Sequence, residues 1–237
     1  MAESSTDNKT GNWNFKQLCV WYFVYVIAWT YFKVFYRFRI KGMHNIPKDG
    51  PILFVCNHQS YLDPLIIGVG SRPRPFISLA RKTLFRNRYF GWLIRTLRAI
   101  PVDQEAASDL TAMRNCIEVL KGGDALLVFA EGSRTYDGYV SEFANGVAML
   151  MKRAKPTIIP VAIEGAFDVW PRMNKKPKAF GRMGIAFGKA RRVEDVLNQP
   201  VSQAMESLHQ EIQQMCSQMR SEFKLPALLA ESSKTDD

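Results

Sequence analysis

His58 and Asp63 stand five residues apart in the segment Asn57-His58-Gln59-Ser60-Tyr61-Leu62-Asp63-Pro64, which directly follows an apolar run ending at Cys56. In a continuous α-helix, positions i and i+5 diverge by about 140°, so a helix would hold the two side chains apart. Pro64 disfavours the αR region at Asp63, and a turn here could fold the carboxylate onto one imidazole nitrogen. That contact would fix the tautomer and leave the other nitrogen free to take a proton from a hydroxyl. A histidine that only caps or packs is the plainer alternative. A metal centre lacks the third ligand it would need nearby. His44 falls in a Gly/Pro-rich loop and His209 on the polar side of a terminal helix, neither with a matching acidic partner.

A second cluster, Phe129-Ala130-Glu131-Gly132-Ser133-Arg134-Thr135, also follows an apolar run. Gly132 permits backbone angles that let the chain approach a ligand closely. Arg134 offers a planar fork of donors suited to phosphate, and Glu131 could orient that fork or accept from a substrate hydroxyl. Alone, this segment reads equally well as a strand-end turn with a surface ion pair. Two such segments after two buried strands suggest one pocket, because open α/β sheets place their sites beyond the carboxyl ends of strands.

The elements that must carry these residues alternate. Apolar runs at 51–56, 74–80, 125–129 and 157–163, with a further candidate at 183–187, predict strands. Pro160 inside its run suggests an edge, a bulge or a strand end. Helices are expected at 63–69, at 106–120 with Leu110, Met113, Ile117 and Leu120 on one face, and at 145–153. A stripe of Val201, Met205, Leu208, Ile212, Met215, Met219 and Phe223 predicts a long amphipathic helix packed on the domain. The fold class is therefore α/β, a single domain over 40–223 with a central mixed sheet flanked by helices. Residues 1–12 and 224–237 read as flexible tails.

Residues 18–32 (LCVWYFVYVIAWTYF) are apolar, uncharged and rich in aromatics. As a helix they reach about 22 Å, short of a bilayer core of about 30 Å; with Lys33 snorkelling the helix could extend to Phe38 and span under strain. Trp and Tyr favour the headgroup boundary, so 13–39 is expected to be a helical membrane anchor of monotopic type, with a buried core helix as the alternative. No small-residue cleavage site follows, which argues against a signal peptide.

The 237 residues carry a net charge of +10, and the excess is concentrated. Two acid-free blocks, 64–102 and 169–193, hold eight bases each. Such segregation points to a polyanionic partner: anionic lipid, a phosphorylated substrate or nucleic acid. Nucleic acid fits poorly with the apolar N-terminal segment. The four cysteines are scattered without a C-x-x-C pair, so neither a disulfide framework nor a zinc knuckle is expected. P-loop, G-x-G-x-x-G, H-E-x-x-H and G-x-S-x-G signatures are all missing from the chain, which removes the usual marks of nucleotide hydrolysis, dinucleotide chemistry, zinc proteolysis and nucleophile-elbow hydrolysis.

Asn57-His58-Gln59-Ser60-Tyr61-Leu62-Asp63 resembles the H-x-x-x-x-D motif of the glycerolipid acyltransferases, the family of 1-acylglycerol-3-phosphate acyltransferase, and Phe129 to Thr135 resembles its F-P-E-G-T-R-S block. Lys82 with residues 91–103 resembles the second motif of that family, and 158–163 the fourth; the similarity runs from about 40 to 192. The resemblance implies transfer of a fatty acyl group from acyl-CoA or acyl-carrier protein to the hydroxyl of a lysophospholipid, with 1-acylglycerol 3-phosphate becoming phosphatidic acid. His58 would be the base and Asp63 its orienting partner; Lys82, Arg98, Glu131, Gly132, Ser133 and Arg134 would bind substrate. No covalent acyl-enzyme, metal or further cofactor is implied. The family often has Gly where this chain has Arg98, Arg where it has Gln104, and Pro where it has Ala130. Arg98 is therefore a candidate to replace the lost cation. Another lysolipid or glycerol 3-phosphate as acceptor, or a non-catalytic module binding anionic lipid, are the alternatives. The expected location is the cytoplasmic face of the cell membrane.

Overall fold

A computed structural model describes residues 13–72, 74–103 and 109–228. In chain order these form α1 (Phe15–Phe35), β1 (Arg39–Lys41), β2 (Ile52–Cys56), α2 (Asp63–Gly70), β3 (Phe76–Arg81), α3 (Arg88–Thr96), β4 (Ile100–Val102), α4 (Leu110–Lys121) and β5 (Ala125–Phe129). There follow α5 (Asn145–Ala154), β6 (Thr157–Glu164), α6 (Ala166–Val169), β7 (Gly184–Phe187), β8 (Arg191–Arg192), α7 (Val193–Val196) and α8 (Val201–Glu222). The strands make one mixed sheet in the order β1-β7-β6-β2-β5-β3-β4, with β8 pairing β6 beside β7. Strands β6, β2, β5, β3 and β4 run parallel; β7 is antiparallel to β6 and parallel to β1.

All five residues of β2 are buried, as expected of a strand flanked on both sides and covered on both faces. The coverage can be read from alternation along β7. Gly70 of α2 lies against Ile185 and Phe187, whereas Gly184 lies against Phe223 at the end of α8. Odd and even residues of a strand point to opposite faces, so α2 and α8 clothe opposite sides of the sheet. A β-carbon at Gly70 or Gly184 would come within 2.8 Å of these side chains, and the glycines are what let the layers close.

Pro160 is in the interior of the sheet, not at an edge or an end. Its carbonyl accepts from Gly188, so its nitrogen faces that same side of β6. There the partner changes, from β8 opposite Thr157 and Ile158 to β7 opposite Val161 onward. The missing N–H falls in the gap between the two partners and costs no ladder bond. On α4 the buried residues are Ala112, Cys116 and Leu120, while Leu110 is exposed. The inward face is thus rotated from the one the sequence stripe marks.

Helix α1 is opened by a reciprocal cap in which Asn14 accepts from the Gln17 amide at 2.9 Å and the Gln17 side chain accepts from the Asn14 amide at 3.0 Å. It ends at Phe35, and Arg37 takes a left-handed conformation (φ 44°) that turns the chain into β1. Extension to Phe38 does not occur, because Phe38 is in the core. Trp21, Ala28 and Phe32 are the buried residues of α1; Phe15, Phe23, Val26, Ile27 and Val34 point outward. Residues 224–228 also do more than trail. Arg220 donates to the Pro226 carbonyl, and Tyr139 donates to that of Leu228.

Two arginines of the first basic block, one of them the expected ligand Arg98, serve the fold at the amino ends of the strands. Arg74, nearly fully buried, donates to the carbonyls of Lys48, Gly50 and Gly123 and ties three loops together. Arg98 pairs at 2.9 Å with the buried Asp124, which precedes β5, and stacks over Trp13. A five-residue strand separates Asp124 from the carboxyl end of β5, about 17 Å, so Arg98 is not brought to His58. Removing one partner of a buried pair strands the other charge. Arg98→Met is therefore expected to cost about 3 kcal/mol of stability while leaving the acceptor KM unchanged. A raised KM with unchanged unfolding would return Arg98 to the site.

Candidate active site

The parallel strands β2 and β5 end side by side, with Cys56 opposite Phe129, and the two sequence clusters continue from them. Asp63 opens α2 rather than avoiding helix, and the turn before it brings the carboxylate back. His58 Nδ1 and Asp63 Oδ2 are 2.7 Å apart, and the same oxygen accepts from the amides of Gln59 (2.6 Å) and Ser60 (2.8 Å). Asp63 is fully buried at the first turn of a helix, where the peptide dipoles favour an anion. An ionised carboxylate only accepts, so Nδ1 carries the proton and Nε2 keeps its lone pair. The His58 ring is stacked on Phe129, with centroids 3.8 Å apart and planes 11° from parallel. Its rotation is thus blocked on one face by the last residue of β5.

The turn is held from every side. Asn57 exchanges two hydrogen bonds with the Ile163 backbone in β6 (2.8 and 2.9 Å). The His58 carbonyl accepts from Thr135 (2.8 Å), and the Gln59 side chain reaches Gly138, Glu164 and Phe167. Glu164, buried at the end of β6, is paired at 2.8 Å with Arg220 of α8, which also binds Asp168. Burial pushes the Glu164 carboxyl up to about 7, against the opposing pull of Arg220.

Glu131 has a different job from the one its sequence position suggests. Oε1 accepts from the His58 amide (2.7 Å) and Oε2 from the Ser141 amide (3.0 Å). Both oxygens are used in tying the histidine turn to the loop before α5, and neither orients Arg134. Burial pushes the Glu131 carboxyl up to about 7, although the amides of Ser141 and His58 pull it down. A carboxyl raised on folding favours the native state while it is protonated. That contribution is full below its ordinary value of 4.5 and is lost as pH rises through about 7. The stability of the wild type relative to Glu131→Gln is accordingly expected to fall between about pH 4.5 and pH 7, at no more than about 1.4 kcal/mol per pH unit. Urea titrations of both proteins across that range check it, and a flat difference would refute it.

Arg134 is oriented by an aromatic face instead. Its guanidinium lies 3.4 Å from the centroid of Tyr61, which leans in turn on Trp170 at 5.1 Å. One guanidinium nitrogen of Arg134 is buried without a hydrogen-bond partner among the described residues, a donor waiting for an acceptor. Gly132 (φ 72°) makes the turn that its left-handed backbone allows, and Ser133 is exposed beside it. Lys82 follows β3 at this same end of the sheet, bound at 3.0 Å to Asp103. Gln104 lies outside the described residues. Cys56 is fully buried, and burial raises its thiol well above the ordinary range. No three His, Cys, Asp or Glu side chains among the described residues form a set able to hold a metal.

Tyr61 also lines an apolar cleft of about 260 Å³ between α1, α2 and α3, walled by Trp21, Tyr25, Leu65, Phe76 and Leu97. A separate cavity of about 630 Å³ is walled by Phe187, Lys189 and Met215 and includes neither His58 nor Arg134. Tyr61, Phe129, Gln59 and Glu164 are site residues that the sequence reading did not single out. The first three lie within or beside the two motifs, which was the available signal; nothing local marks Glu164 or Arg220.

The fold and site together define an α/β protein in which an oriented imidazole and an unsatisfied guanidinium share the carboxyl end of a mainly parallel sheet. A family model described as Acyltransferase matches residues 37–164, more than half of the chain, and the chain belongs to that family. It is 32% identical over 158 residues to 1-acyl-sn-glycerol-3-phosphate acyltransferase of Streptococcus pneumoniae, covering 65% of this chain and 56% of that protein. With the enzyme of the same name from Bacillus subtilis the identity is 25% over 181 residues, covering 75% and 87%. The chain thus spans little more than half the length of the first of these relatives. The fold is that of the crystal structure of a 1-acyl-sn-glycerophosphate acyltransferase from Thermotoga maritima, with a TM-score of 0.76, 21% identity and coverage of 86% and 81%.

Proposed function

We propose that the chain transfers a fatty acyl group from acyl-CoA or acyl-carrier protein to the free hydroxyl of a lysophospholipid, converting 1-acylglycerol 3-phosphate to phosphatidic acid. The observation that carries this reading is the His58–Asp63 pair, bonded through Nδ1, beside a guanidinium nitrogen of Arg134 that lacks a hydrogen-bond partner among the described residues. His58 Nε2 takes the proton of the acceptor hydroxyl as its oxygen attacks the thioester carbonyl. The C–O bond forms, the C–S bond breaks, and the proton passes from the imidazolium to the departing thiolate. Asp63 stabilises the imidazolium in between. Arg134 binds the acceptor phosphate, and the apolar cleft that meets it at Tyr61 receives an acyl chain. The names of the relatives support the acceptor.

Membrane association belongs to the same reading. One face of α1 is buried on the domain, and the other presents Phe23, Val26, Ile27 and Val34 to the surroundings. A helix held sideways in this manner lies in the interface with its apolar face inward to the lipid. The substrates then reach the site from the leaflet, which on this reading is the cytoplasmic one.

The test is thiol release from a long-chain acyl-CoA, or from an acyl-carrier-protein thioester, in mixed micelles with and without 1-acylglycerol 3-phosphate. Acceptor-dependent release is expected. Release only with other lysolipids would move the acceptor, and none with any pair would leave a lipid-binding module. Arg134→Ala is expected to raise the acceptor KM by about 10–100-fold, the worth of a hydrogen bond to a charged group, with a smaller change in kcat. An unchanged KM would remove Arg134 from phosphate binding.

A further inference from the structure

A second cationic pocket lies three strands away from His58. Strand β1 pairs with β7 so that Arg39 is opposite Gly184, and Gly184 is opposite Glu164 at the carboxyl end of β6. This places Arg39 at the catalytic end of the sheet but at its edge, about 14 Å from β2 by strand spacing. Arg37, Arg39, Arg182 and Lys224 line a cavity of about 230 Å³ there, together with Glu222 and Phe223. Glu222, its one acid, is already paired with Lys41. Two of the four side chains are held in place by the fold. Arg182 donates to the Phe223 carbonyl at 2.8 Å, and the Arg39 guanidinium lies 5.6 Å over the Phe223 ring. Arg37 (φ 44°) and Lys224 (φ 50°) take the left-handed backbone with which helices commonly end, so the ends of α1 and α8 both deliver a cation to this cavity.

The pocket is continuous with apolar surface. Arg37 follows the end of α1, and Phe35 of α1 touches Phe180, at 5.8 Å between centroids. Phe180, itself largely exposed, is two residues from Arg182. Phosphate with an adjoining hydrocarbon chain is the chemistry that four convergent cations next to exposed phenylalanines would recognise.

We infer that Arg37, Arg39, Arg182 and Lys224 form an anion site, separate from the Arg134 site, that binds the phosphate of an anionic phospholipid in the membrane on which α1 lies. The site fixes the depth and tilt of the domain, so that the catalytic end of the sheet faces the leaflet. The inference rests on the membrane-surface reading of α1 and not on the transfer chemistry.

The test compares Arg37→Asn/Lys224→Asn with Lys152→Asn/Lys155→Asn in the full chain. Both pairs remove two positive charges. Each includes a left-handed position, since Lys155 has φ 48°, and asparagine tolerates that conformation. The control pair lies just before β6, at the opposite end of the sheet. Melting temperatures confirm that both variants fold. Sedimentation with phosphatidylcholine vesicles, with and without phosphatidylglycerol, reads the lipid. The Arg37/Lys224 pair is expected to lose about 20-fold in affinity for the anionic vesicles, and the control pair less than about 3-fold. Equal losses would overturn the pocket in favour of diffuse attraction. Inorganic phosphate without lipid is expected to raise the melting temperature of the wild type and not that of the pocket variant. Such a shift with unchanged vesicle affinity would overturn the bilayer as the source and leave a site for free phosphate. Wild-type thiol release in detergent micelles is scored separately, and its absence would overturn the transferase reading without touching this one.

Discussion

Replacing His58 with alanine is expected to lower acceptor-dependent thiol release by about 10²–10⁴-fold, the usual contribution of a positioned general base, with the acceptor KM little changed. The fold should survive, because the His58 side chain is 18% exposed and Asp63 keeps its bonds to the Gln59 and Ser60 amides. The loss should fall on kcat, since Nε2 meets the hydroxyl proton only in the reacting state. Full activity in a folded His58→Ala protein would sink the base assignment.

Asp63→Asn is expected to be nearly as damaging, by about 10³–10⁴-fold in kcat, for two reasons acting on one ring. An amide nitrogen facing Nδ1 would impose the opposite tautomer and place the proton on Nε2, where the base must be empty. An amide oxygen facing it would preserve the tautomer but offer no charge to the imidazolium. The single oxygen that accepts from His58, Gln59 and Ser60 is also part of the first turn of α2. A loss of about 1–3 kcal/mol in stability is therefore expected as well, read by urea titration. The His58→Ala/Asp63→Asn double variant should be no slower than His58→Ala alone if, as proposed, Asp63 acts through the histidine. Further slowing in the double variant would give Asp63 an independent role.

Glu131 and Arg134 show how neighbouring motif residues part company once the chain is folded. Their adjacency suggests an ion pair, yet Glu131 is spent on the amides of His58 and Ser141, and Arg134 is set by Tyr61 from the other motif. The site is better described as two turns clamped together than as a list of ligands. Asn57 fastens the first turn to β6, Thr135 binds the second to the first, and Glu164 with Arg220 connects Gln59 to α8. On the proposed mechanism, small displacements of that clamp would move Nε2 relative to the acceptor hydroxyl, which is costly for a step that depends on contact distance.

The α/β class, the buried strands β2, β5 and β6 and the pairing of His58 with Asp63 were legible in the sequence alone. Each rests on short-range information. An apolar run bounded by turn residues marks a buried strand, and a turn between positions only five apart can bring a carboxylate back onto its histidine, as it does here. The strands β1 and β4 and the helix α3 were not read from the sequence; the strands have three residues each, and α3, though amphipathic, has only nine. Arg98 was a candidate ligand because the resemblance implies a cation missing at Gln104; only the sheet places it beside Asp124, at the other end of β5 from His58. Pro160 was read as an edge, a bulge or a strand end because the sequence says that an N–H is missing, while the pairing of β6 with β8 and then β7 decides that none is needed there. Glu131 meets the His58 amide, Gln59 meets Glu164 and Arg39 meets Phe223, each a partner distant in the chain. Local pattern fixes which faces must be buried, but the register and order of the strands determine which polar groups meet, and the chemistry of the site depends on those meetings.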